Sequence, residues 1–286
     1  MAGQVLFSTD PQQAGIAHVT LAHAGKFNAM SRAMWLQLRA VFETVQQDTS
    51  VRCVVVRGQD GHFCAGGDIS EYPGFRFDPA QLAHFHENEV WGGLNAMLQC
   101  DVPIVAHIEG NCMGAGLEIA SCCDLRLAAS DAKFGAPIAR LGFPMAPKEA
   151  ALVGAAVGNT TARAMLLAAE VLDYAHMQAQ GFLTRTLDGA ELAVHVQAMA
   201  RRIASLAPQA ARMNKQTLRL LQGSLVQNLL PNNAETPVEY AQAATKVIAN
   251  DASLQGTKPA SPYAYADSAE HREGIAAFLD KRPPHF

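Results

Sequence analysis

A chain of 286 residues, 49% hydrophobic and 17% charged, can bury a substantial core, which excludes disorder of the whole chain. Its formal net charge is -4 and it has no run of Lys and Arg, so nucleic acid is excluded as the main partner. The start MAGQVLFSTDPQQAG lacks the order of a secretory signal, and no apolar stretch approaches the ~20 residues that span a bilayer, so a cytoplasmic protein without membrane contact is expected.

In chain order, Val5–Phe7 and Ile16–Leu21 read as short strands around a Pro-Gln-Gln-Ala-Gly turn. Ser31 can cap a helix running to about Asp48, with Met34, Leu38, Val41, Phe42 and Val45 on one stripe. Val51–Arg57 is a continuous apolar run that suits a strand buried on both faces. A glycine-rich loop from Gly58 to Gly67 follows, then an amphipathic helix from Pro79 to Gln99, then a buried strand Pro103–Ile108. A second glycine-rich turn, Gly110–Gly116, leads into a helix Ala115–Cys123 and a strand Asp124–Ala129. This alternation predicts an α/β core with crossover connections.

From Pro147 the pattern reads as nearly all helical: Lys148–Val157, Thr160–Ala169, Ala190–Leu206 and Pro208–Leu221, then one helix between Pro237 and Asn250. A last helix, about Ser268 to Asp280, stops before Arg282-Pro283-Pro284. The boundary between an α/β core (1–206) and a helical C-terminal region (207–286) is placed near Leu206.

The six cysteines form no CxxC pair and read as buried free thiols, without a metal or a disulfide framework. The chemistry-bearing segments are Phe63-Cys-Ala-Gly-Gly-Asp-Ile69 and Gly110-Asn-Cys-Met-Gly-Ala-Gly-Leu-Glu118. Small residues let a substrate approach the backbone, and unpaired N–H groups at a helix start favour negative charge. Two such donors on one oxygen would make an oxyanion hole, although each loop alone is equally consistent with close helix–sheet packing. Neither loop fits a P-loop or a GxGxxG dinucleotide fingerprint, and no GxSxG elbow occurs.

FCAGGDISEY, PIVAHIEGNCMGAGLEIASCCDLRLAASDAKFG and the ending YADSAEHREGIAAFLDKRPPHF resemble the enoyl-CoA hydratase/isomerase (crotonase) superfamily. The similarity runs over nearly the whole chain, with Lys26-Phe27-Asn28-Ala29-Met30 matching the family's first loop. It implies a spiral of ββα units followed by a helical C-terminal region that builds homotrimers, often paired into hexamers. It also implies an acyl-CoA substrate with no separate cofactor. By motif, Gly67 and Ala115 would supply the oxyanion N–H groups. Lys26, Asn28, Ala65, Asp68, Ile69 and Ser70, together with Gly67 and Ala115, would bind substrate and CoA.

Glu118 falls on the family's first catalytic glutamate. Its position one turn into the helix that begins at Ala115 lets the carboxyl face the same pocket, with Leu117 and Ile119 to desolvate it. The alternative is an acid that only complements the helix dipole.

The family's hydratases carry a second glutamate about twenty positions later, in a Gln-Pro-Glu step; here that step reads Ala136-Pro137-Ile138. Hydration by Glu118 through one bound water, double-bond isomerisation, thioester hydrolysis or decarboxylation, and an inactive acyl-CoA-binding trimer all stay open. Asp68 reads as a helix cap and Glu149 as a solvent-facing acid, rather than as substitutes for the missing glutamate. His84 and His86, two apart, read as surface or half-buried histidines, with a pocket-lining role open to one of them. Trp91, Met97, Met113, Phe143 and Met145 read as core, Cys64 and Cys112 as inert thiols. Lys281 and Arg282 read either as contacts to CoA phosphates or as a basic helix end.

Overall fold

Period-two burial decides where the strands go. In the computed structural model, which describes residues 2–10, 12–227 and 262–286, the apolar run after Val51 is buried on both faces. Cys53 and Val55 face one hydrophobic cluster, Val54 and Val56 the other. Each fully buried aliphatic side chain contributes about 1.5–3 kcal/mol, so this strand anchors both layers.

The described residues contain nine strands: β1 (Gln4–Thr9), β2 (Ile16–Ala22), β3 (Cys53–Gly58), β4 (Ile104–Ile108), β5 (Asn111–Met113), β6 (Leu125–Ala129), β7 (Lys133–Gly135), β8 (Val171–Asp173) and β9 (Arg185–Leu187). The larger sheet has the order β1-β2-β3-β4-β6-β9, parallel except for the β1–β2 hairpin. The smaller sheet has the order β5-β7-β8.

Successive turns of chain send one strand to the larger sheet, the next to the smaller, and then a helix. β4, β5 and α4 (Ala115–Ser121) make one such unit; β6, β7 and α5 (Pro147–Val157) make the next. After β3, Cys64 bridges Cys112 of β5 and continues the smaller sheet by one pair. The spiral of ββα units that the resemblance implies is therefore the observed architecture.

α1 (Arg32–Gln47) starts where expected, with Ser31 Oγ accepting from the Met34 amide. The segment Pro79–Gln99 is α2 (Pro79–His84), a widened π turn (Phe85–Val90) and α3 (Trp91–Gln99). α6 (Asn159–Leu167) and α7 (Tyr174–Ala179) follow α5, and α8 (Gly189–Ser205) covers the outer face of the larger sheet. α9 (Pro208–Gln227) begins after Leu206, and α10 (Ala269–Leu279) packs on the short 3₁₀ turns at 69–74 and 138–141.

Two expectations are corrected. The reading of the chain after Pro147 as nearly all helical missed two short strands, β8 and β9, which return to the sheets. Three-residue strands such as these, and β7, carry no periodicity to read. The helix that Asp68 was read as capping, after the first glycine loop, is only a short 3₁₀ turn with Pro73 inside it. The helix expected between Pro237 and Asn250 lies outside the described residues.

Candidate active site

A cavity of about 680 Å³ lies where the two glycine turns meet α10 and the 138–146 segment. The turns are stitched together: the Cys64 amide donates to Asn111 O (2.8 Å) and the Met113 amide to Cys64 O (2.9 Å). A Cβ on Gly116 would sit 2.5 Å from Cys64 O, so only glycine permits this approach. Gly66 (φ 116°) and Gly114 (φ 46°) hold backbone conformations that disfavour side chains.

Met30 pairs with this first turn from the other side. Its amide donates to Gly66 O and its carbonyl accepts from the Asp68 amide, both at 2.8 Å, which leaves the Gly67 amide turned away from Met30. The amides of Gly67 and Ala115 meet no acceptor among the described residues, and both residues line the cavity. Ala115 opens α4, whose N-terminal N–H groups favour negative charge.

Glu118 sits one turn into α4 and lines the same cavity, while Leu117 and Ile119 are fully buried beside it. Burial pushes its carboxyl up to about 8; the charge of Glu149 pushes the same way and Arg76 opposes. A carboxyl tuned this way can exchange a proton near neutral pH.

Of the other predicted site residues, Lys26, Ala65, Asp68, Ile69 and Ser70 all line the cavity. Lys26 Nζ donates to Asp68 Oδ2 (2.6 Å) and Ser70 Oγ (2.8 Å), tying the first loop to the 3₁₀ turn. Asp68 caps that turn by accepting from the Ser70 amide (3.2 Å). Burial raises its pKa, but the hydrogen bonds from Lys26 and Ser70 outweigh this and hold it below the usual carboxylate range.

Asn28 is a correction. It is buried away from the cavity: Nδ2 donates to Gln59 O and His62 O, both at 2.7 Å, and Oδ1 accepts from the His23 amide. Its φ of 61° is tolerated by asparagine, so it locks the loop shape and leaves Lys26, its neighbour, at the cavity. Ile138 stands at the cavity wall where a second carboxyl was missing from the sequence. Met113, Phe143, Met145 and Lys281 also reach the cavity, whereas Met97 is core and Arg282 pairs with Glu273 (2.7 Å). All six cysteines are free and buried, and burial pushes the Cys64 thiol up to about 12, which leaves no thiolate nucleophile there.

Glu149 is the second correction. It is 2% exposed, not solvent-facing, and its Oε1 lies 2.9 Å from His86 Nδ1. His86 lines the cavity while His84, two residues earlier, is exposed. Sequence reasoning missed the hub of this cluster, Arg76, which is 1% exposed and contacts His86 and His271. A lone arginine among Tyr72, Phe75 and Phe77 was the sole sequence signal, and it is a weak one. His271, in the first turn of α10, donates from Nδ1 to Ala266 O (2.9 Å); burial lowers its pKa to about 4, so it is neutral.

Comparison with known proteins identifies the family and the fold. The sequence profile of the enoyl-CoA hydratase/isomerase family matches residues 11–286. A probable enoyl-CoA hydratase of Mycobacterium tuberculosis is 27% identical over 276 residues, spanning 96% of this chain and 95% of that one. Among solved structures, an enoyl-CoA hydratase/carnithine racemase from Magnetospirillum magneticum superposes with a TM-score of 0.72 at 30% identity, over 98% of this chain and 96% of that chain. A methylmalonyl-CoA decarboxylase holding 2-nitronate-propionyl-CoA superposes with a TM-score of 0.78 at 24% identity, over 99% and 98%, and shares the fold.

Proposed function

The chain belongs to the enoyl-CoA hydratase/isomerase family, and on that premise we propose that it binds an acyl-CoA thioester and stabilises its enolate. The carbonyl oxygen lies between the amides of Gly67 and Ala115, and Glu118 moves the proton. The observation that carries this reading is that Gly67 and Ala115, whose amides have no acceptor among the described residues, line the same cavity as a carboxyl with its pKa raised towards neutrality. Loss of one such donor costs about 3–4 kcal/mol of transition-state stabilisation.

Hydration of a 2-enoyl thioester is the first reading. Ionised Glu118 takes a proton from water as its oxygen bonds to C3, the C2–C3 double bond's electrons move onto the thioester oxygen, and Glu118 then protonates C2. Isomerisation is the second reading, favoured by Ile138 in the cavity wall: one carboxyl can remove a C2 proton from a 3-enoyl thioester and return it at C4. Both need the same enolate. Incubation with crotonyl-CoA separates them: loss of the 2-enoyl absorbance supports hydration, while turnover of a 3-enoyl-CoA alone supports isomerisation. No turnover of either, with CoA binding intact, would leave an acyl-CoA-binding protein.

We further propose a homotrimer, or a dimer of trimers; α9 presents Met213, Leu218 and Leu220 more than half exposed, the kind of face that association covers. Six buried free thiols suit a reducing cytoplasm. Among the described residues no helix is long and apolar enough to cross a membrane.

A further inference from the structure

The cavity contains a permanent positive charge that enolate chemistry as described does not use. Arg76 lines the cavity, is almost fully buried, and forms no ion pair with a carboxylate among the described residues. Nε donates to His271 Nε2 (3.3 Å), Nη1 to His86 Nε2 (3.3 Å) and Nη2 to the Tyr265 hydroxyl (3.5 Å). The rings of Tyr72 and Phe143 stand against the guanidinium, with Cζ 4.3 and 4.1 Å from their centroids. A guanidinium has five N–H donors, and these contacts use three.

The contacts also fix its orientation. Arginine can only donate, so both histidines accept at Nε2 and carry their proton on Nδ1, directed at Glu149 Oε1 and at Ala266 O. Four separate stretches of chain therefore hold one cation still. None of them touches it with a negative oxygen: Glu149 stands behind His86, and burial raises the Glu118 pKa and so favours its neutral form. A buried charge with only neutral partners is costly, and neutral hydrogen bonds offset that cost only in part. A ligand carboxylate, which a guanidinium can receive through two parallel N–H bonds, would supply the missing counter-charge.

We propose that Arg76 receives a carboxylate carried on the acyl chain, so that this site takes CoA monothioesters of short dicarboxylic acids. The inference rests on the acyl-CoA reading above and adds the substrate class. Tyr72 sets the reach: its hydroxyl lies 2.2 Å from where a Cβ on Gly67 would be, and its ring packs on Arg76. The carboxylate thus stands a few bonds from a thioester carbonyl held at Gly67. Longer unsubstituted chains would leave the charge unpaired and bring methylenes against it.

The test is binding of saturated thioesters that do not turn over, measured by calorimetry with the full chain at neutral pH. Glutaryl-CoA should bind at least tenfold more tightly than valeryl-CoA, and succinyl-CoA more tightly than butyryl-CoA, as charged hydrogen bonds in a desolvated site do. Arg76→Met should remove the preference and Arg76→Lys restore part of it. The wild-type comparison stands by itself if the Met variant does not fold. Equal affinity within both pairs, or preference for the uncharged members, overturns the role of Arg76 while leaving the acyl-CoA reading intact. Failure of all four thioesters to bind takes down both.

Discussion

One part of the cavity is made of main chain, the other of converging side chains. Gly67, Ala115 and Glu118 come from two turns whose glycines hold positive φ or permit close approach, and the carboxyl follows one helical turn after the second amide. Arg76, His86, Glu149 and His271 do not neighbour one another in sequence, and their contacts exist only once the π turn, α5 and α10 are packed. The first part is fixed by local covalent geometry and tolerates almost no substitution. The second depends on tertiary packing and can be retuned one residue at a time. On the function proposed above, a generic step, enolate formation, falls to the rigid part, and selection of the acyl group to the adjustable one.

The sharpest break of this division comes from Glu118→Gln, which keeps the shape and removes the proton carrier. Steady-state turnover of the accepted enoyl-CoA should fall about 10²–10⁴-fold, while affinity for CoA stays within a factor of two. Full rate in this variant would move catalysis elsewhere.

Gly67→Ala should come next. Its Cβ would meet the Tyr72 hydroxyl at 2.2 Å, so the turn and Tyr72 must part. kcat should fall roughly 10–100-fold with a smaller change in KM, because the amide's aim matters most in the transition state.

The same carboxyl links activity to stability. Its folded pKa, about 8, is raised above the ordinary 4.5, so the neutral form is the one the fold favours. That contribution is intact below about 4.5 and is lost as pH rises to about 8. Thermal melts should therefore show Glu118→Gln gaining on wild type across that window, by on the order of 2–5 kcal/mol at the alkaline end. Parallel melting curves at all pH values would contradict the raised pKa.

Glu149→Gln should give the smallest effect and the most informative about coupling between the two parts. Removing its charge lets the Glu118 pKa fall, since that charge helps to raise it, while Gln can still accept from His86. The rate–pH limb for a base should shift to lower pH, with a severalfold gain at about pH 6 and an unchanged plateau. An unshifted profile would separate the two clusters electrostatically.

These same residues explain what was legible in advance. The strands β2, β3 and β4, the Ser31 cap and both glycine turns follow from period, capping and backbone sterics, all local in sequence. The spiral itself was read from resemblance, because strands as short as β7, β8 and β9 leave no pattern. Asn28 was misplaced because a loop motif gives membership but not side-chain direction; its amide turns inward to carbonyls of Gln59 and His62. Glu149 was misjudged because its partner, His86 in the π turn, lies far away in sequence, and its neighbours on α5 give no sign of that burial. Arg76 was invisible for the same reason.

Enolate formation can be watched without knowing the natural acyl group. With butyryl-CoA in D₂O, proton NMR should show deuterium entering C2 in the presence of the wild-type chain and not with Glu118→Gln. Bound butyryl-CoA whose C2 protons never exchange, or exchange at equal rates in the two proteins, would contradict the assignment of Gly67, Ala115 and Glu118 to one enolate-forming site.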